Sequence, residues 1–200
     1  MAPFGEIKRR FTVSAVDVNT GIYEVFDQKN TSYEELPQVC FASGSIPTVF
    51  PPQHYKGMVL MDGGTVWDVN IDSAINQCLE IVDSEEDIIV DVAICGYSQR
   101  TGDPVSKNAM ENFMSGRDER DFYENTNSIQ ASLDAYPGVQ KRYYFQGAEF
   151  GYHGCVVPND LDFNNSTTWC LQEAGRQDAK DMLEIGQDNI NKSLEDWFKD

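Results

Sequence analysis

Met58-Val59-Leu60-Met61-Asp62-Gly63-Gly64 is the stretch on which the reading of this chain turns. Four apolar residues end in an acid and two glycines, the pattern of a short buried strand that runs into a tight turn. An aspartate in that place stands on a stiff support, and Gly63 and Gly64 set no side chains beside it to block a reacting group. Asp62 is the one carboxylate of the chain with an obvious chemical use, that of a general base. The nucleophile such a base activates commonly announces itself as the serine of G-x-S-x-G, a strained turn from strand to helix. That pattern is absent from the 200 residues, so half of a hydrolytic site is present and half is not.

Upstream, Phe11 to Val18 alternates apolar and polar residues, Asn19-Thr20-Gly21 supplies turn chemistry, and Ile22 to Phe26 resumes the alternation. This predicts a β-hairpin. Ser32 to Glu35 is an S-x-x-E capping box, so a helix is expected toward Ala42, with Pro37 tolerated in its first turn. Ser43-Gly44-Ser45-Ile46-Pro47 should end it, and Pro51-Pro52 should exclude regular structure until the run before Asp62. Downstream, Asp72 or Ser73 is expected to cap a helix carrying Ile75, Cys78, Leu79 and Val82 on one face. Ile88 to Ile94 reads as a strand covered on both faces. Strand, helix and strand in that order suggest a βαβ unit in a mixed α/β sheet. Residues 108–136 read as broken helix, Val139 to Gln146 as an aromatic-rich strand, and 147–165 as a polar loop. Two helical stretches follow from Ser166, the last with Ala179, Met182, Leu183, Ile190, Leu194 and Trp197 on one face.

Three segments together carry a family likeness: Phe11-Thr12-Val13-Ser14-Ala15-Val16-Asp17-Val18-Asn19-Thr20-Gly21, then Ala42-Ser43-Gly44-Ser45-Ile46-Pro47-Thr48-Val49-Phe50-Pro51-Pro52, then Met61-Asp62-Gly63-Gly64. In order and spacing the chain resembles the C-terminal half of a patatin-like phospholipase domain, over about two-thirds of its length and fading after Ile94. The resemblance implies a lipid acyl hydrolase in which a serine attacks the ester and the D-G-G aspartate, here Asp62, takes its proton without an intervening histidine. Gly63 and Gly64 would let the backbone turn tightly and leave the carboxylate accessible. The glycine-rich oxyanion loop and the G-x-S-x-G elbow of that family precede its hairpin and are not in this sequence. The implied fold is α/β, an incomplete three-layer α/β/α sheet with flanking helices. Residues 1–200 would form the C-terminal part of the domain, inactive alone, with unpaired sheet edges open to self-association. The implied partner is a lipid acyl ester once the nucleophile-bearing half is supplied, and the dyad needs no cofactor or metal. A chain lacking its nucleophile could alternatively serve as a non-catalytic acidic domain that binds a partner or lipid.

Composition narrows the classes further. A net charge of -18 and a pI near 4.3 oppose attraction to nucleic acid or an anionic membrane. No apolar run approaches the roughly 18 residues of a membrane span. Lys8-Arg9-Arg10 follows the first residues where a signal peptide would place an apolar stretch. Cys40, Cys78, Cys95, Cys155 and Cys170 are odd in number and lack a C-x-x-C pair, so neither a zinc site nor a disulfide framework is expected. A reducing, cytoplasmic compartment is the simplest expectation. Asn30, Asn164, Asn165 and Asn191 lie in N-x-S/T sequons, which matter only to a secreted chain. Gly96-Tyr97-Ser98 imitates a nucleophile elbow weakly, without its final glycine. His153 and Cys155 are close enough in sequence to raise thiol chemistry, and His54 lies near Asp62, but neighbours in sequence need not face each other. Lys141-Arg142-Tyr143-Tyr144-Phe145 is best explained as a strand with one buried aromatic face.

Overall fold

The computed structural model describes residues 8–94, 109–146, 154–155 and 164–186. It is a mixed α/β structure that divides into two compact units, residues 1–84 and 85–200.

In the first unit β1 (Thr12–Asp17) and β2 (Tyr23–Asp27) form the expected hairpin, in antiparallel register from Thr12↔Asp27 to Val16↔Tyr23. Its turn is closed by the Asp17 carbonyl, which accepts from the N–H groups of Thr20 and Gly21, and Gly21 takes the positive φ (72°) the turn requires. The capping box forms as read: the Ser32 N–H donates to Glu35 Oε2 at 3.0 Å, and the Glu35 N–H to Ser32 Oγ at 3.3 Å. One turn later α1 (Leu36–Ser43) begins, with Pro37 in its first turn.

The segment after Pro51-Pro52 departs from expectation. Gln53–Tyr55 is a strand, β3, joined to β4 (Met58–Asp62) by the two-residue loop Lys56-Gly57. Both loop residues have positive φ, 47° and 85°, the requirement of the primed turn whose twist suits a hairpin. Prolines forbid ladder donors only at their own positions, so a strand starting at the next residue is permitted. β4 also pairs antiparallel with β1, and the sheet order is β2-β1-β4-β3. Helix α1 packs on β1, β3 and β4. Ala15, Phe26, Val39, Ala42, Tyr55 and Leu60 make the core, with the Phe26 and Tyr55 rings edge to face at 5.5 Å.

Helix α2 (Ile71–Leu79) is capped by Asn70, whose side chain accepts from the Ser73 N–H at 3.0 Å, rather than by Asp72 or Ser73. Its buried face is Ile71 and Ile75, while Cys78 is exposed. The helix ends at Leu79, so Cys78 lies in its exposed last turn and Val82 falls beyond it.

In the second unit β5 (Ile89–Ile94) and β6 (Gln140–Gln146) pair in parallel, with a register shift between Val90 and Asp91. The βαβ connection is therefore β5, α3 (Ala109–Ala135), β6, and not the expected pairing of β4 with β5 across α2, since β4 belongs to the antiparallel sheet. Helix α3 is continuous over 27 residues where broken helix was expected. β5 is covered on one face only: Val92 is buried, whereas Ile89 is 50% exposed. Arg142 grips Asp91 through Nε (2.9 Å) and Nη2 (2.5 Å), and this guanidinium holds the Asp91 carboxyl below the usual carboxylate range. Tyr144 is fully buried in β6, in keeping with the one-sided aromatic strand predicted.

Helix α4 (Asn165–Ile185) packs on β6. Its buried positions are Thr167, Ala174, Asp178 and Met182, so the expected stripe shifts: Leu183 is 53% exposed. Ile190, Leu194 and Trp197 lie outside the described residues, as does most of the expected loop 147–165. Cys155 and Cys170 are joined in a disulfide with their Cα atoms 5.9 Å apart. This bridge corrects the expectation of unpaired cysteines and removes the basis for a reducing compartment; the spacing of 15 residues carried no pairing signal.

Candidate functional site

Asp62 is the last residue of β4, opposite Ala15 of β1. Four bonds fix where its carboxylate leaves the sheet. The Asp62 N–H donates to the Ser45 carbonyl at 3.1 Å, tying the strand end to the S-x-I-P segment. Asp62 then caps the single 3-10 turn Gly63–Thr65, Oδ1 accepting from the Gly64 N–H at 3.0 Å. The Gly63 carbonyl accepts from the N–H groups of Val66 and Trp67 and closes the turn. Asp62 is half-buried, beside exposed Gly64, Thr65 and Val66.

Neither glycine has a positive φ; close approach of backbone is what requires Gly63, and carboxylates crowd Gly64. A Cβ on Gly63 would lie 2.7 Å from the Ser14 carbonyl oxygen and 2.9 Å from its Oγ. At Gly64 a Cβ would come within 2.8 Å of Asp68 Oδ1 and 3.3 Å of Asp62 Oδ1. Two carboxylates thus flank the Gly64 backbone. Asp68, six residues beyond Asp62, was not singled out in the sequence; nothing in its Trp67-Asp68-Val69 setting marks it.

Ser14 and Ser45, the serines nearest this turn through their own contacts, are engaged in the fold. The Tyr23 hydroxyl lies 2.6 Å from Ser14 Oγ and 3.0 Å from the Trp67 carbonyl, and the Tyr23 and Trp67 rings meet at 5.8 Å. Buried Ser45 donates its hydroxyl to the Phe41 carbonyl at 2.7 Å. His54 is exposed on β3, paired with Val59 and not with Asp62. Ser98 and His153 lie outside the described residues. The Cys155 sulfur is bonded to Cys170, which removes it as a thiol nucleophile.

A second carboxylate secures the strand that carries Asp62. Buried Asp17, at the end of β1, accepts from the Val59 N–H at 3.1 Å, the Asn19 N–H at 3.2 Å and Thr20 Oγ1 at 2.9 Å. The Val59 bond foremost holds its carboxyl below the ordinary range, against the opposing pull of desolvation, with Thr20 and Asn19 adding to it. Among the described residues no three His, Cys, Asp or Glu side chains converge to hold a metal ion, and no helix is long and apolar enough to cross a membrane.

No curated protein matches the chain. The family model for patatin-like phospholipase matches residues 3–75, a stretch that runs from before β1 into α2 and includes all three segments of the sequence likeness. The sheet that positions Asp62, its glycine turn and the Ser45 tie therefore all fall within the stretch that is similar to the patatin-like phospholipase model.

Proposed function

We propose that this chain carries the base-bearing part of a lipid acyl hydrolase that works by a Ser-Asp dyad, with Asp62 as the base. The observation that carries the reading is a half-buried carboxylate at a strand end, fixed through its backbone to Ser45 and through Oδ1 to Gly64, inside the matched family segment. In the reaction the serine Oγ bonds to the acyl carbon as its proton passes to the Asp62 carboxylate. The carbonyl oxygen becomes an oxyanion held by backbone donors. When the ester bond breaks, the proton goes to the leaving alcohol, and water releases the acyl group by the same steps in reverse. Gly63 and Gly64 keep the approach to the carboxylate clear, and Ser45 keeps the strand end from swinging away.

The 200 residues contain no G-x-S-x-G, so the nucleophile in this reading comes from sequence outside them and the chain alone is inactive. The test is an ester assay on the chain alone and on the chain fused behind a patatin-type segment bearing the glycine-rich loop and the serine elbow. The chain alone should show no turnover. The fusion should hydrolyse a simple acyl ester, and Asp62→Asn should lower its rate about 10²- to 10⁴-fold, the usual worth of a positioned base. Turnover by the chain alone that survives Asp62→Asn would remove Asp62 from the mechanism. A fusion that folds and binds lipid but never turns over would favour the non-catalytic binding domain.

A further inference from the structure

The disulfide gives weight to a sequence feature the hydrolase reading leaves unused. Cys155 and Cys170 close a loop that contains Asn164-Asn165-Ser166-Thr167, two overlapping N-x-S/T sequons. Disulfides persist in oxidising compartments, the same compartments in which asparagine acquires sugar. We propose that Asn165 is a site of N-linked glycosylation, filled while the chain is still unfolded and before α4 docks.

The choice of Asn165 rests on its neighbours. It is exposed at the first position of α4, and Thr167 is its sequon hydroxyl. Asn164 is committed to capping the helix: its Oδ1 accepts from the N–H groups of Ser166 (3.1 Å) and Thr167 (3.0 Å) and from the Ser166 hydroxyl (2.6 Å). Asn30 closes the turn after β2, donating its Nδ2 to the Val25 carbonyl at 3.0 Å and accepting at Oδ1 from the Asp27 N–H at 2.9 Å. A sugar on Asn30 would compete with the first of these bonds. Asn191 lies outside the described residues.

A second observation points to a carbohydrate at this place. Trp169 stands four residues after Asn165 in α4 and is 64% exposed, a large apolar ring on the surface. Positions four apart are neighbours on a helix, and the later side chain leans back over the earlier one. The indole is therefore placed to receive the apolar face of the first sugar, a contact that would cover the ring.

Timing follows from burial. Thr167 is 7% exposed, so the enzyme that must read its hydroxyl can do so only before α4 packs. In the transfer, Asn165 Nδ2 attacks the anomeric carbon of an oligosaccharide carried on a lipid pyrophosphate. The new C–N bond forms as the C–O bond to the pyrophosphate breaks; the lipid pyrophosphate leaves, and Nδ2 gives up one proton. In the other unit Cys40 and Cys78 remain thiols.

Trypsin isolates the whole question in one peptide, because no Lys or Arg lies between Arg142 and Arg176. The full chain, purified from its own cells and digested without reduction, should yield Tyr143–Arg176 with its cysteines joined and an oligosaccharide on Asn165. Enzymatic release of the sugar in 18O-water should leave labelled aspartate at 165. In a secretory expression host, Asn165→Gln and Thr167→Ala should each abolish the glycan mobility shift, while Asn164→Gln should retain it through the intact Asn165-Ser166-Thr167 sequon. Unmodified Asn165 in the native peptide, cysteines that alkylate without reductant, or a shift lost with Asn164→Gln instead would overturn the assignment.

Discussion

At the scale of single residues, Gly63 is the tightest position of the site. Its α-carbon approaches the Ser14 backbone so closely that a methyl group would meet carbonyl atoms at 2.7 and 2.9 Å, and backbone of a central strand cannot give way as a flexible side chain can. Gly63→Ala should therefore destabilise the first unit by about 1–3 kcal/mol, the usual cost of forcing extra volume into a packed place. Urea unfolding followed by fluorescence, with Trp169 and Trp197 replaced by Phe so that Trp67 alone reports, checks this, since Trp67 is bonded through its N–H to the Gly63 carbonyl. A loss below about 0.5 kcal/mol, the scatter of neutral surface changes, would mean that β1 shifts freely to make room. The sequence reading assigned both glycines to the tightness of the turn. Their torsions are ordinary, and what demands Gly63 is the neighbouring strand, which a linear sequence does not display.

Elements, taken one at a time, were legible to the degree that local chemistry decided them. The β1-β2 hairpin and the Ser32-Glu35 capping box are settled by residues within a few positions of each other, and both formed as read. β3 was missed because Lys56-Gly57 is a weak turn signal beside the two prolines before it, and its pairing with β4 was what made it a strand. The βαβ unit was placed one helix too early: β4 is apolar enough for a parallel strand, but it is taken by β1 and β3. Asp17 acts between elements, joining the hairpin turn to β4 through Val59. Its folded-state proton affinity is depressed, so the stability it contributes is complete above the ordinary carboxylate value of about 3.9 and is lost as pH falls through the lower folded value. Asp17→Asn should lower stability at neutral pH and flatten the acid limb of the first unit's stability curve. Urea midpoints measured from neutrality to about pH 2 give the comparison; parallel curves for the two proteins would show that another carboxylate governs that limb.

For the molecule as a whole, the two units differ in what holds them. The first has a contiguous apolar core and surface ion pairs, Arg10 and Lys29 both on Glu80 and Lys56 on Glu35, which solvent screens at such exposure. The second contains the only disulfide among the described residues. Reduction should therefore destabilise the second unit by about 3 kcal/mol, the loop-closure value for a span of this length, and leave the first unchanged. Hydrogen exchange read separately on β1-β4 and on α4 distinguishes the two, and equal loosening of both would contradict it. The strong acidity was informative at this scale from the start, because net charge speaks to partners and solubility and needs no fold. The disulfide was not, because pairing depends on where α4 comes to rest.

The turn at Lys56-Gly57 has a consequence for how such a chain can vary. Two residues with positive φ leave no slack between β3 and β4, so Asp62 sits at a set count from the turn, on the same side of the pleat as buried Leu60. One residue added or lost between Gly57 and Asp62 would hand the acid to the opposite side of the sheet. Natural length changes should be absent from that tract and fall instead in the coil before α1 or in the proline-bearing run after it.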